Sequence, residues 1–156
     1  MGKTDLPISA FKGAVLNTSD IAKGYMVGLT ALGKYSSKIV VPHKITVEGS
    51  VDIDSTTSAL YPRDNRWDYV IGFNGKVIFV EVHSANTGEV DVVLRKLDWL
   101  KSWLTSKAPD LAKLRAEAPY YWVQSKSFQI LKHSPQYRRA ASRGILPVAK
   151  VTLNPG

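Results

Sequence analysis

Two largely apolar runs, 67–73 and Lys76–His83, are separated only by Asn74-Gly75. Asn-Gly accepts the positive φ that a two-residue type I′ turn needs at both central positions, and that turn twists in the sense its flanking strands require. The chain is therefore expected to form a β-hairpin here. With a two-residue turn, Phe73 pairs with Lys76 and every cross-strand pair of residue numbers sums to 149. Asp68 then lies directly opposite Glu81, and Arg66 opposite His83. Side chains alternate along a strand, so all four polar groups share one face. A β-bulge would shift this register. Both arms carry apolar residues on both faces, which places them inside a sheet rather than at its edge.

The rest of the chain supplies elements to surround that hairpin. Thr18-Ser19-Asp20 is an N-cap signal, with Asp20 explained by that role, and Ile21, Tyr25, Leu29 and Leu32 follow at helical spacing, predicting a helix over 19–35. Gly24 and Gly28 weaken that helix or admit another element closely. Residues 44–54 alternate, predicting a strand with one wet face, and 55–66 reads as a Ser/Thr-rich loop. A helix is expected from about Gly88, with Val90, Val93, Leu94, Leu97, Leu100 and Leu104 as its core stripe, ending before Pro109. A short helix over 111–117, a strand over 120–123, a helix over Pro135–Ser142 closed by Gly144, and a strand over 148–153 complete the reading. The order α-β-β-β-α-β-α-β predicts one α/β domain over 1–156, with a mixed central sheet flanked by helices.

Facing carboxylates on a semi-buried sheet repel, and something must offset that. A bound divalent cation does so, and hard oxygen ligands suit Mg²⁺ or Mn²⁺. A protonated acid, or a nearby Arg66 or Lys96, is an alternative offset; so is water, if the open end of the hairpin is exposed. Lys96 falls at the edge of the helical core stripe, one heptad after Glu89, and can reach along the sheet to that open end. An ordinary lysine laying its stem over apolar surface would look the same.

Arg66-Trp67-Asp68-Tyr69-Val70-Ile71, then Val77-Ile78-Phe79-Val80-Glu81-Val82-His83, then a helix, resembles the PD-(D/E)XK nuclease superfamily, the restriction-endonuclease-like fold. The similarity runs over about 19–123. It implies a Mg²⁺-dependent phosphodiesterase in which Asp68 and Glu81, aided by the Val82 carbonyl, hold the metal. Trp67 stands where the family has proline. His83 stands where it has the lysine of Glu-x-Lys, so His83 is expected to orient or deprotonate water, to ligate metal, or to mark a domain that only binds. Lys96 or Arg66 would then stabilise the charge that develops on phosphorus oxygens.

Charge decides the expected partner. Of 21 Lys/Arg and 13 Asp/Glu, residues 1–117 hold 15 basic and all 13 acidic ones, whereas 118–156 hold six basic and none acidic. A one-sided basic surface concentrates polyanions and releases their counterions. Lys126, Lys132, Arg138, Arg139 and Arg143, with Arg66, are the expected nucleic-acid contacts, DNA ahead of RNA, and Tyr120, Tyr121, Trp122, Phe128 and Tyr137 are interleaved with them. Tyr121 and Trp122 read more simply as core. His43 and His133 follow no zinc spacing, and Gly72-Phe73-Asn74-Gly75 opens no helix, so it is a turn and not a phosphate loop. There is no cysteine, no apolar run long enough for a membrane span, and no apolar signal-peptide core in Met1-Gly2-Lys3-Thr4-Asp5. A cytoplasmic protein is expected, with a homodimer left open. The functional expectation is a metal-dependent nuclease acting on DNA or RNA phosphodiesters; the alternative is a nuclease-fold module that binds nucleic acid without cleaving it.

Overall fold

The hairpin organises the main sheet. In a computed structural model that describes residues 7–155, β3 (Tyr69–Phe73) and β4 (Lys76–His83) pair antiparallel from Phe73↔Lys76 to Tyr69↔Val80. Each of those pairs sums to 149. Asn74 (φ 46°) and Gly75 (φ 76°) carry the positive angles of the turn. β2 (Val47–Asp52) lies antiparallel on the other side of β3, and β5 (Arg115–Gln124) lies parallel to β4, giving the order β2-β3-β4-β5. A parallel neighbour needs a crossover. Here it is α3 (Val90–Ser106) followed by the short α4 (Pro109–Lys113). The molecule is therefore mixed α/β, with a mixed sheet and helices packed on it.

Alternation along β3 and β4 makes two cores. Val70, Val77, Phe79 and Trp122 face α3 and α1 (Ala10–Leu16). Ile71, Phe73, Ile78, Val80 and Val123 face the other way, against Ile39, Leu32, Val151 and Leu153. The expected stripe of α3 is buried in full, together with Trp103. At about 1.5–3 kcal/mol for each large apolar side chain removed from water, it anchors the helix to the sheet. Gly72 on β3 faces α1, where an added Cβ would fall 2.1 Å from Phe11 Cγ, so only glycine lets that ring approach.

Several expected elements differ. No continuous helix covers 19–35. The segment holds short 3₁₀ turns at Ala22–Gly24 and Thr30–Lys38, and Gly28 (φ 55°) and Gly33 (φ 54°) are left-handed, which an α-helix does not allow. Asp20 caps nothing; its carboxylate accepts from the Tyr61 hydroxyl (2.6 Å) and Trp103 Nε1 (2.9 Å). The helix at this end of the chain is α1, started by the Ser9 side chain, which accepts from Lys12 N–H. The strand expected over 44–54 is shortened to Val47–Asp52 by α2 (Ile53–Thr57), capped by Asp52. A register shift between Val47 and Gly49 also breaks the strand's alternation, leaving Ser50 fully buried. β5 begins at Arg115, inside the stretch expected to be helical, and runs to Gln124, so the strand expected over 120–123 starts five residues earlier. α5 (Pro135–Ser142) has the expected bounds and ends at Gly144 (φ 66°). The last strand is only β6 (Val151–Thr152); it pairs with β1 (Ile39–Val40) in a separate two-stranded sheet. Met1–Asp5 lie outside the described residues. Among the described residues no helix is long and apolar enough to cross a membrane.

Candidate active site at the open end of the hairpin

β3 stops one residue before the register is used up, and side chains complete the ladder beyond it. Asp68 N–H donates to Glu81 Oε1 (3.1 Å), and Val82 N–H donates to Asp68 Oδ2 (3.0 Å). Those two bonds hold Asp68 and Glu81 face to face on the α3 side of the sheet. Neither is in open water: Glu81 is fully buried and the Asp68 side chain is 18% exposed.

Lys96 answers the repulsion. Leaving the core stripe of α3 at its edge, its ammonium forms an ion pair with Glu81 Oε2 and lies 3.5 Å from Asp68 Oδ1. The lysine is thus engaged by both acids and is not a snorkelling surface residue. Burial would lower its pKa, but the charges of Glu81 and Asp68 outweigh burial and raise it, so the ammonium is held charged. Asp68 is pushed up to about 7, by burial first and by the Glu81 carboxylate second, against the opposing pull of Lys96 and the Val82 N–H.

His83, two residues along β4, stands on the same face. Its Nδ1 lies 3.3 Å from Glu81 Oε2 and its Nε2 lies 2.7 Å from Glu89 Oε1. The bond to Glu81 is the main reason its pKa is raised; burial opposes and Glu89 adds to the rise. A base or a metal ligand needs a nitrogen lone pair, and here both nitrogens face carboxylates. The arrangement therefore suits an imidazolium cation better than the water-activating base or the metal ligand, two of the three roles expected for His83 from the sequence. Glu89 escaped the sequence reading as a member of the site. Its only signal was its position just ahead of α3, one heptad before Lys96.

Arg66 does not face His83. The chain turns out of the sheet before Asp68, and the Arg66 guanidinium donates to Asp54 Oδ1 (2.8 Å) and to the Tyr61 carbonyl (2.6 Å). Asp54 was also missed. It sits in the first turn of α2, whose Ile53 N–H donates to the Asp68 carbonyl (2.7 Å), and its charge acts on both Asp68 and Lys96. Among the expected nucleic-acid contacts, Lys126, Lys132 and Arg138 are exposed. Arg139 instead forms a two-pronged pair with Asp91 (3.1 and 3.0 Å) and Arg143 pairs with Asp98 (2.6 Å), tying α5 to α3. Trp122 is fully buried, its indole N–H donating to the His83 carbonyl.

Among the described residues no group of three or more His, Asp or Glu side chains is arranged to hold a metal ion. A cation here would rest on two carboxylates and on main-chain or water oxygens. Asp68 Oδ1 and Glu81 Oε2 converge on one point, the Lys96 ammonium. The N–H and C=O of a strand residue point to the same side, so the Val82 carbonyl faces the Asp68 side as its N–H does. That all-oxygen set of two carboxyl groups and a carbonyl fits Mg²⁺ or Mn²⁺. A cavity of about 370 Å³ lined by Phe73, Lys76, Ile78, Tyr121 and Leu153 lies toward the closed end of the hairpin and shares no residue with the acid pair.

No family model, curated protein or solved structure matches the chain. The site geometry carries the functional argument.

Proposed function

We propose that the chain is a metal-dependent nuclease of the restriction-endonuclease-like kind, acting on DNA or RNA phosphodiesters. The observation that carries this reading is the convergence of Asp68, Glu81 and Lys96 at one end of the sheet, with the two acids opposed across the hairpin and the ammonium in reach of both. The three antiparallel strands, crossover helix and fourth parallel strand support it as the scaffold. The lysine expected two residues after the glutamate is replaced by His83, and α3 brings Lys96 to the same carboxylate from across the core.

Asp68, Glu81 and the Val82 carbonyl would hold Mg²⁺ or Mn²⁺. The ion, when bound, supplies Lewis-acid charge to the scissile phosphate and lowers the pKa of water. Lys96 carries its charge on a flexible stem, and its ammonium stabilises negative charge developing on the phosphate oxygens. His83, held between Glu81 and Glu89, fixes the Glu81 carboxylate and adds positive charge beside it. The test is cleavage of plasmid DNA and of RNA with Mg²⁺ or Mn²⁺. Cleavage that EDTA stops and Glu81→Gln abolishes is the expected result; no cleavage with any divalent metal would overturn the reading. The second reading, a binding module without chemistry, draws support from the Lys96 ion pairs, which neutralise the acids without a metal. It calls for tight nucleic-acid binding in the same protein that never cleaves.

A further inference from the structure

The segment after β5 is built against the candidate site. Ser125 N–H donates to the His83 carbonyl (3.1 Å), Gln129 N–H to the Ala85 carbonyl (2.8 Å), and Leu131 N–H to Thr87 Oγ1 (2.9 Å). Asn86 and Gln129 form a parallel bridge. These bonds hold 125–131 alongside 83–87, the stretch that leads from His83 to Glu89. α5 follows at once. Its capping residue Ser134 donates to the Leu131 carbonyl, and its Arg139 grips Asp91 at the start of α3.

What this ridge shows to solvent is unlike a core strand. Phe128 is 36% exposed and Leu131 69%, whereas the neighbouring Trp122 is fully buried. Lys126, Lys132 and Arg138 stand exposed around them, in a stretch from 118 to 156 that contains no acidic residue. Two acids of the adjoining segments are already engaged, Glu89 by His83 and Asp91 by Arg139. An apolar ring flanked by cations fits a chain that offers flat π-faces between phosphates. A duplex offers the phosphates but keeps its base faces stacked inside; an unpaired strand offers both.

We propose that the ridge over 126–132 docks a single-stranded stretch of polynucleotide beside the acid pair, Phe128 stacking on a base and Lys126, Lys132 and Arg138 holding phosphates. The placement of that strand as a substrate rests on the nuclease reading; the binding does not.

The experiment is fluorescence anisotropy in EDTA, so that cleavage cannot intervene, with labelled oligothymidine or oligouridine and an equal-length duplex as probes. The single strands should bind at least about tenfold tighter than the duplex. Phe128→Ala should weaken single-strand binding about 5- to 100-fold, leave duplex binding unchanged and melt at the parent's temperature, and Phe128→Trp should restore the affinity. Lys126→Ala with Lys132→Ala should reduce the slope of log affinity against log salt by about 1.4. Equal affinity for single strand and duplex, or full binding by Phe128→Ala, would overturn the proposal. The two readings fail separately. Phe128-dependent binding without cleavage in Mg²⁺ removes the nuclease and leaves the ridge; cleavage with Phe128-independent binding does the reverse.

Discussion

The two ends of the β3–β4 hairpin solve opposite problems with the same pair of strands. At the closed end, main chain pairs with main chain, Asn74-Gly75 makes the turn, and Phe73 and Ile78 are buried among apolar neighbours. One carboxylate joins in, Glu48 accepting the Gly75 N–H (3.0 Å). At the open end the ladder is finished by Asp68 and Glu81 side chains, and like charges are buried together, offset by Lys96 and His83. A buried ion network contributes little net stability, since desolvation opposes the Coulomb attraction. The closed end and the two cores hold the fold; the open end is held by them in a geometry that the charges alone would not keep. The contrast teaches that apolar packing and buried charge can be separated along one hairpin.

Substitutions at the two ends should therefore separate the same way. Glu81→Gln at the open end should abolish metal-dependent cleavage, because an amide is a poor ligand for a hard cation. Its urea midpoint should fall, but by less than that of Lys96→Met, because Asp68 still pairs with the Lys96 ammonium. A variant that unfolds instead would show that Glu81 belongs to the structural half of the comparison.

Lys96→Met strands two buried carboxylates and should cost about 3–5 kcal/mol of stability near pH 8. Part of that loss should return on adding Mg²⁺, which can take the place of the lost cation, and part on lowering the pH to 5, where Asp68 is neutral. Urea melts with and without Mg²⁺ measure both. A Mg²⁺-independent loss would argue against a cation site between the acids.

The pH dependence of stability sharpens the contrast. The folded chain holds the Asp68 proton up to about 7, against an ordinary value of 3.8. The folded state thus binds more protons than the unfolded chain between those values, and this group's contribution to stability falls as pH rises through that window, with a slope of up to about 1.4 kcal/mol per pH unit. The raised pKa of His83 acts in the same sense, its stabilisation being complete below 6.5 and lost as pH rises through the folded value. Asp68→Asn should flatten the parent's profile between pH 4 and 7, measured by thermal or urea melts. An identical profile in the two proteins would mean that Asp68 is solvated.

The smallest effect belongs to the turn. Gly75→Ala places a Cβ at φ 76° and should cost about 1–2 kcal/mol, with cleavage per folded molecule unchanged. A drop in cleavage beyond the folded fraction would mean that the closed end reaches the chemistry after all.

The sequence by itself determined the hairpin, its register and hence the opposition of Asp68 and Glu81, because an Asn-Gly turn and a period of two leave little freedom over a few residues. It also determined the apolar stripe of α3 and the bounds of Pro135–Ser142, where a Ser-Pro start and a glycine stop are local signals. It misjudged 19–35, because helical spacing of apolar residues says nothing about the left-handed backbone at Gly28 and Gly33 or about Tyr61 and Trp103 drawing Asp20 away from a cap. Arg66 was placed in the site by extending the register past the point where the strand ends, and strand ends are set by what packs beyond them, here α2. Only the tertiary structure decided that Lys96 serves the acid pair and that Glu89 closes on His83. Both depend on how α3 lies across the sheet, and two groups 15 residues apart on different elements meet through packing, which no local pattern encodes.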